Sequence, residues 1–278
     1  MMIEGKDLAW CPGCGNFSIR LAIRQAVEEL GLDTGRLVIV SGIGQAAKTP
    51  QYLDYNYFNG LHGRAVPAAF AVKVSNPGLI VIAEGGDGDM YGEGGNHFIH
   101  NIRRNPDITH VVHNNMVYGL TKGQASPTSG KGFVTPIQIN GVTQEPFNAV
   151  ATAISLNASF AARAYAVDRD RTVEILKQAI LNKGYSLVDI LHACVSFNKV
   201  NTNKWFRENT YYIDNDHDPE NRIKAFGIAV KEGKIPLGVI YRCSRPTYEE
   251  QLDIYAKDPE PLYMRGRKGR ELYDELRR

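Results

Sequence analysis

The sequence predicts an α/β protein built on a parallel sheet with helices on both faces. Short, continuous β-branched runs recur along the first two thirds of the chain, and stretches of helical length separate them. The runs are apolar throughout instead of alternating, which is the pattern of strands buried on both faces. One of the runs ends in Gly86-Asp87-Gly88-Asp89. Open α/β sheets bind ligands there, outside the carboxyl ends of their strands.

In chain order, the expected strands are LVIVSG (37–42), LIVIAEG (79–85), ITHVVHN (108–114) and YSLVDILH (185–192). The expected helices cover about 17–30, 65–75, 93–104, 146–157 and 170–183. Beyond residue 192 the periodicity fades into aromatic, polar and proline-punctuated sequence. The expectation is one α/β domain over 1–191 and, over 192–278, an irregular extension wrapped on the core or on a partner.

The composition is that of an ordinary soluble protein, 43% hydrophobic and 22% charged over 278 residues. No apolar run approaches the roughly 20 residues of a membrane span. The opening MMIEGKDLAW lacks a signal-like apolar core. A cytoplasmic protein without membrane contact is expected. A net charge of +2 gives no reason to invoke nucleic acid. The basic excess in RGRKGR and Arg277-Arg278 reads as a solvated tail or a contact between subunits. With no export signal, Cys11, Cys14, Cys194 and Cys243 are expected to serve a metal or redox centre before disulfides.

The Gly86–Asp89 turn and the Asn114-Asn115 pair carry the chemistry. Asp87 and Asn115 are separated by one helix and one strand, which brings both to the carboxyl edge of neighbouring strands. Mg²⁺ wants six hard oxygen ligands and retains phosphate oxygens and water among them. One carboxylate, one amide oxygen and a backbone carbonyl just past Asn115 leave room for a diphosphate and a water. Gly86 and Gly88 let the main chain approach the phosphates. A helix beginning near Tyr91 would aim its amino end at the anion. The bland alternative, a simple tight turn, does not account for the paired asparagines at this spacing.

GDG, 25 residues, then NN resembles the signature of thiamine-diphosphate enzymes. Together with WCPGCG (10–15), SGIGQAAK (41–48), GLHGRAVPAAFAVKVSNP (60–77), YGLTKGQASPT and the later IPLGVIYRCSRPTYEEQL, the chain resembles the β subunit of 2-oxoacid:ferredoxin oxidoreductases. The resemblance implies a diphosphate-type thiamine-binding fold and oxidative decarboxylation of a 2-oxoacid, with electrons passing through an iron–sulfur cluster to ferredoxin and the acyl group going to coenzyme A. It implies Mg²⁺ on Asp87, Asn115 and the Val117 carbonyl. It places Gly88, Asp89, Leu120 and Thr121 along the diphosphate, and Ile43, Gly44, Gln45, Ala46 and His62 beside the cofactor. It also implies that the pyrimidine-binding domain and the catalytic glutamate lie in a partner α subunit, or in an α/γ pair. No catalytic residue is therefore assigned to this chain.

For the cluster, the resemblance implies four ligand positions: Cys11, Cys14, the place of Gln45, and Cys194. Gln45 stands where a cysteine is usual, which leaves three thiolates for a [4Fe–4S] cluster. Cys243 is expected to be an inert thiol. A thioredoxin-type dithiol would need a strand before WCPGC, and zinc would want a second close pair of cysteines. Glu93, His97 and His100 repeat at helical spacing and read as a polar helix face. His110 and His113, an odd number apart in a strand, should point to opposite faces. Lys48 and Lys122 fall in loops expected to flank the reactive end, where they are candidates for binding a substrate carboxylate. That suggestion favours 2-oxoglutarate over pyruvate. The competing functions are a non-redox thiamine decarboxylase or synthase subunit and a non-catalytic binding subunit.

Overall fold

A computed structural model describes residues 8–214, 216–258 and 260–266. The basic tail beyond Gly266 lies outside the described residues. The first helix, α1 (Asn16–Glu29), precedes strands β1 (Leu37–Ser41) and β2 (Asn56–Asn59). There follow α2 (Ala65–Ser75), β3 (Ile80–Gly86), α3 (Gly95–Arg104), β4 (Thr109–Asn114), α4 (Ala149–Ser155), β5 (Phe160–Tyr165), α5 (Arg169–Leu181) and β6 (Ser186–Leu191). The last part of the chain adds α6 (Asn203–Asn209), β7 (Thr210–Tyr212), α7 (Arg222–Val230), β8 (Ile235–Arg242) and α8 (Asp253–Lys257).

One eight-stranded sheet organises the fold, in the order β2-β1-β3-β4-β6-β5-β8-β7. The strands from β2 through β5 run parallel, each to its neighbour. The expected parallel sheet is present, and it gains a strand from the segment expected to be irregular: β8 enters antiparallel to β5 with a register shift at Ala161/Ala162. The segment after residue 192 therefore extends the sheet. Its signal was weak because β8 opens on Ile235-Pro236 and contains Gly238 at φ 125°, neither of which reads as a strand interior.

Alternation along the strands feeds two cores. Val40, Val81, Ala83 and Val112 pack with Phe98, Ile102 and Ala69 under α2, α3, α4 and α7. Leu37, Ile39, Ile82, Val111 and Val188 face the other way, against Ile19, Ile23, Val173 and Leu176 of α1 and α5. His110 and His113 follow the same alternation: His110 meets the Tyr185 hydroxyl at 2.5 Å, while His113 contacts Asn16 of α1 at 2.9 Å. No helix among the described residues is long and apolar enough to cross a membrane.

The helix expected from residue 93 differs at its start. Gly88–Glu93 form a π-helical turn before α3 begins at Gly95. A Cβ on Gly94 would stand 2.7 Å from the Met90 carbonyl oxygen, so the wide turn depends on glycine there. Such π turns concentrate at functional sites.

Candidate active site

The loops leaving the carboxyl ends of β1, β2, β3, β4 and β6 converge on one cavity. The β1 loop supplies Ile43, Gly44, Gln45 and Ala46, and the β2 loop supplies His62. From β3 come Gly86, Asp87, Gly88 and Asp89; from β4 come Asn115, Val117, Leu120 and Thr121. Cys194 arrives after β6, and Cys11 and Cys14 from the segment just before α1. Lys48 and Lys122 are absent from that lining.

Asp87 is the electrostatic centre. Its carboxylate is buried, and its Oδ2 accepts hydrogen bonds from the hydroxyls of Ser126 (2.5 Å) and Thr128 (2.6 Å). Burial pushes its pKa up to about 6 against those two donors, and Asp189 adds repulsion. A buried anion that is short of positive charge fits a divalent cation. Beside it, Asn115 Oδ1 accepts the Val117 N–H at 3.1 Å. Met116, at φ 58°, makes the left-handed turn that separates Asn115 from Val117. Held left-handed, a non-glycine residue costs of order 1–3 kcal/mol and marks positions the surroundings dictate. Asn114 works from behind, donating to buried Asp189 at 3.0 Å, while Asp189 also holds Arg163 Nε at 3.1 Å.

Asp89 lines the cavity, but its carboxylate acts as a strut. Oδ1 accepts the Gly63 N–H at 2.7 Å and lies 3.0 Å from His62 Nδ1. Burial raises its pKa, and the backbone bonds from Gly63 and Ile43 oppose the shift. It ties the loops after β1, β2 and β3 together. Glu93 leaves the expected helix face to meet His62 Nδ1 at 3.2 Å and the Tyr118 hydroxyl at 3.1 Å. The Tyr118 ring lies directly over Gly88, where a Cβ would collide with it. Among the described residues, no three His, Cys, Asp or Glu side chains converge to hold a single metal ion, so Glu93, His97 and His100 form no chelate.

Cys11, Cys14 and Cys194 line one cavity, and close packing of Gly15 on His192 holds the Cys11–Cys14 segment against the chain leading to Cys194. A Cβ on Gly15 would overlap the His192 side chain, including its Nδ1 at 2.6 Å. Burial pushes the Cys14 thiol up to about 11, with Cys194 and Cys11 adding to the shift and the Asn16 N–H opposing it. A thiol in that state binds a metal only when the metal displaces its proton. Ser196 Oγ sits 3.0 Å from Cys11 Sγ, and the Phe197 N–H donates to Cys194 Sγ at 3.4 Å. Thiols spread around one wall, with N–H and O–H groups turned to sulfur, suit an iron–sulfur cluster, which is wider than a single ion. Cys243 lies elsewhere, its Sγ 3.5 Å from the Ala158 carbonyl. Gly15→Ala should cost about 1–3 kcal/mol in denaturant unfolding and displace Cys14 from Cys194. Wild-type stability in that variant would show that the contact yields easily.

Sequence reasoning missed Ser126, Thr128, Tyr118 and Trp10. Ser126 and Thr128 were visible as the hydroxyls of ASPT, but their path back to Asp87 is a tertiary feature.

The fold and site define a class, and comparison with known proteins names it. Residues 33–190 match the family "Thiamine pyrophosphate enzyme, C-terminal TPP binding domain". Residues 194–257 match the family of the C-terminal part of the pyruvate ferredoxin oxidoreductase beta subunit. The chain is 42% identical to subunit beta of 2-oxoacid:ferredoxin oxidoreductase 2 of Aeropyrum pernix, over 88% of this chain and 83% of the relative. It is 35% identical to the 2-oxoglutarate synthase subunit KorB of Archaeoglobus fulgidus, over 80% of this chain and 84% of the relative. A solved 2-oxoglutarate:ferredoxin oxidoreductase from Magnetococcus marinus, with 2-oxoglutarate, coenzyme A and succinyl-CoA bound, superposes with TM-score 0.91 at 33% identity, covering 99% of this chain and 93% of that one. This chain carries a thiamine diphosphate-binding domain. It belongs to the beta subunits of the 2-oxoacid:ferredoxin oxidoreductases.

Proposed function

We propose that this subunit holds thiamine diphosphate, Mg²⁺ and a [4Fe–4S] cluster for the oxidative decarboxylation of a 2-oxoacid, with 2-oxoglutarate preferred to pyruvate. The products are acyl-CoA and carbon dioxide, the electron acceptor is ferredoxin, the partner is an α or α/γ subunit, and the compartment is the cytoplasm. The observation that carries this reading is the opening of Asp87, Asn115, Cys11, Cys14 and Cys194 on one cavity. A non-redox thiamine subunit would have no use for thiols beside its diphosphate turn.

Asp87, Asn115 and the Val117 carbonyl would hold Mg²⁺, and Gly88 would let the Tyr118 ring close over the diphosphate turn. When bound, thiamine diphosphate supplies the nucleophile and electron sink that side chains lack, and the cluster takes electrons singly. The chain's own groups orient and exclude. Ser126 and Thr128 fix the Asp87 carboxylate, and Asp89 fixes the His62 loop against the β3 turn. Buried Trp10 closes the cavity between thiols and cofactor loop through its Nε1–H bond to the Gln45 carbonyl.

The preference for 2-oxoglutarate rests on relatives that carry that substrate in their names, since neither Lys48 nor Lys122 reaches the cavity wall. In the assembled enzyme kcat/KM should favour 2-oxoglutarate by at least about tenfold, which is about 1.4 kcal/mol. A pyruvate preference would sink the substrate assignment. Absence of iron and acid-labile sulfide from anaerobically prepared complex would sink the redox reading.

A further inference from the structure

Gln45 Oε1 is buried and has no hydrogen-bond partner. An acceptor left in that condition has given up its hydration without return and calls for an explanation, such as an ion that completes it. The residue lines the same cavity as Cys11, Cys14 and Cys194. Its position is fixed on both sides. The Gln45 carbonyl accepts the Trp10 indole N–H at 2.8 Å and the Lys48 N–H at 3.3 Å. Trp10, the residue before Cys11, is itself held edge-on by Phe17 and Tyr52, with ring centroids 5.2 and 5.0 Å away. A rigid link of this kind ties the Gln45 loop to the Cys11–Cys14 segment, while the amide oxygen is left without a protein partner.

We propose that the Gln45 amide oxygen is the fourth ligand of the iron–sulfur cluster, so that one iron is held by a neutral oxygen and exchanges while the other three are held by thiolates. This inference rests on the cluster reading above and deepens it. The chemistry follows from ligand type. Thiolate is anionic and soft, and binds iron in such clusters strongly; an amide oxygen is neutral and hard, and binds it weakly. The cluster's ligand set also carries one negative charge fewer than four thiolates would give, which raises its reduction potential. On mild oxidation the weakly held iron leaves as Fe²⁺: [4Fe–4S]²⁺ gives [3Fe–4S]⁺, Fe²⁺ and one electron, which a one-electron oxidant such as ferricyanide accepts. The bond that breaks is the one between this iron and the Gln45 oxygen, together with its contacts to cluster sulfide.

The test uses the anaerobically reconstituted complex with its partner subunit, as wild type and as Gln45→Cys, each treated with ferricyanide in slight excess over cluster. Wild type should lose about one iron per cluster and develop the electron paramagnetic resonance signal of a three-iron cluster. Gln45→Cys should retain its iron, show no such signal, and titrate at a lower potential. Equal iron retention in the two proteins would overturn the proposal and leave the cluster reading intact. A wild type without iron would overturn both. Should Gln45→Cys fail to fold, wild type alone decides. ⁵⁷Fe²⁺ returned to the three-iron form under reducing conditions should enter one site, whose Mössbauer parameters report oxygen ligation. An all-sulfur signature at that site would refute the assignment.

Discussion

Asp87→Asn should abolish Mg²⁺-dependent binding of thiamine diphosphate while leaving the free protein as stable as before. Loss of a partner outside the direct coordination sphere typically costs a metal site 10–100-fold, so loss of a charged ligand should cost at least about 100-fold. The stability side follows from burial. The Asp87 pKa in the folded chain is raised to about 6, above its ordinary value of 3.8. The folded state therefore holds this proton more tightly than the unfolded state. The Asp87 contribution to stability without metal is most favourable below pH 4, falls as pH rises through the interval from about 4 to 6, and carries its full penalty above it. That penalty is roughly 1–3 kcal/mol by the conversion of 1.36 kcal/mol per unit. An amide in place of the carboxylate removes the penalty and the repulsion from Asp189, although the hydroxyls of Ser126 and Thr128 then face a weaker acceptor. Mg²⁺ must displace the proton, so wild-type affinity should fall about tenfold per pH unit below 6. Calorimetric titration of cofactor at pH 7.5, with a urea midpoint for each protein, tests both halves. A variant that binds cofactor like the wild type would show that Asp87 is not the metal ligand.

How far such a site can be read from sequence depends on which forces place its residues. The strands β1, β3, β4 and β6 were legible because each is a β-branched run buried on both faces. β5 was not. Its sequence, FAARAY, carries Arg163 in a fully packed strand, and the partners that make that burial tolerable, Asp189 on β6 and Asn148, are tertiary ones. Neither was β2, whose Tyr57 and Phe58 lie exposed at the sheet edge and so show no burial pattern. The functional loops followed the same rule. Asp87, Asn115 and the cysteines were legible because their chemistry restricts residue type and spacing. Ser126 and Thr128 return to Asp87 only because the loop after β4 folds back, with Tyr118 and Gln124 pairing across it. Lys122, a candidate for binding a substrate carboxylate, occupies a left-handed backbone position at φ 76° and lies outside the cavity lining.

Without its partner, this chain should show no 2-oxoacid-dependent dye reduction, and addition of the partner subunit should restore turnover. The cavity shows what is missing. Its lining includes Asp87 and Asp89 but no glutamate, and Asp89 is occupied by His62 and Gly63. On the proposed reading, the acid that stands against the cofactor's aminopyrimidine ring comes from the partner subunit. Loss of a positioned proton-transfer group typically costs about 10²–10⁴-fold. The surface near the cavity points to where the partner sits. Leu61, Leu120, Ile43 and Phe197 stand exposed on or next to the cavity loops, with Tyr57 and Phe58 on the adjoining edge strand. Apolar groups gathered around a polar cofactor site mark a surface that another protein covers. Leu61→Asp, at a residue 74% exposed and outside the cavity lining, should therefore weaken assembly by about tenfold or more with little change in the free chain's unfolding midpoint. Co-purification and dye reduction across a titration of partner against chain would measure both effects. Turnover by the isolated polypeptide at the rate of the complex would show that the whole catalytic apparatus lies in this chain, and the division of the site between two subunits would fall.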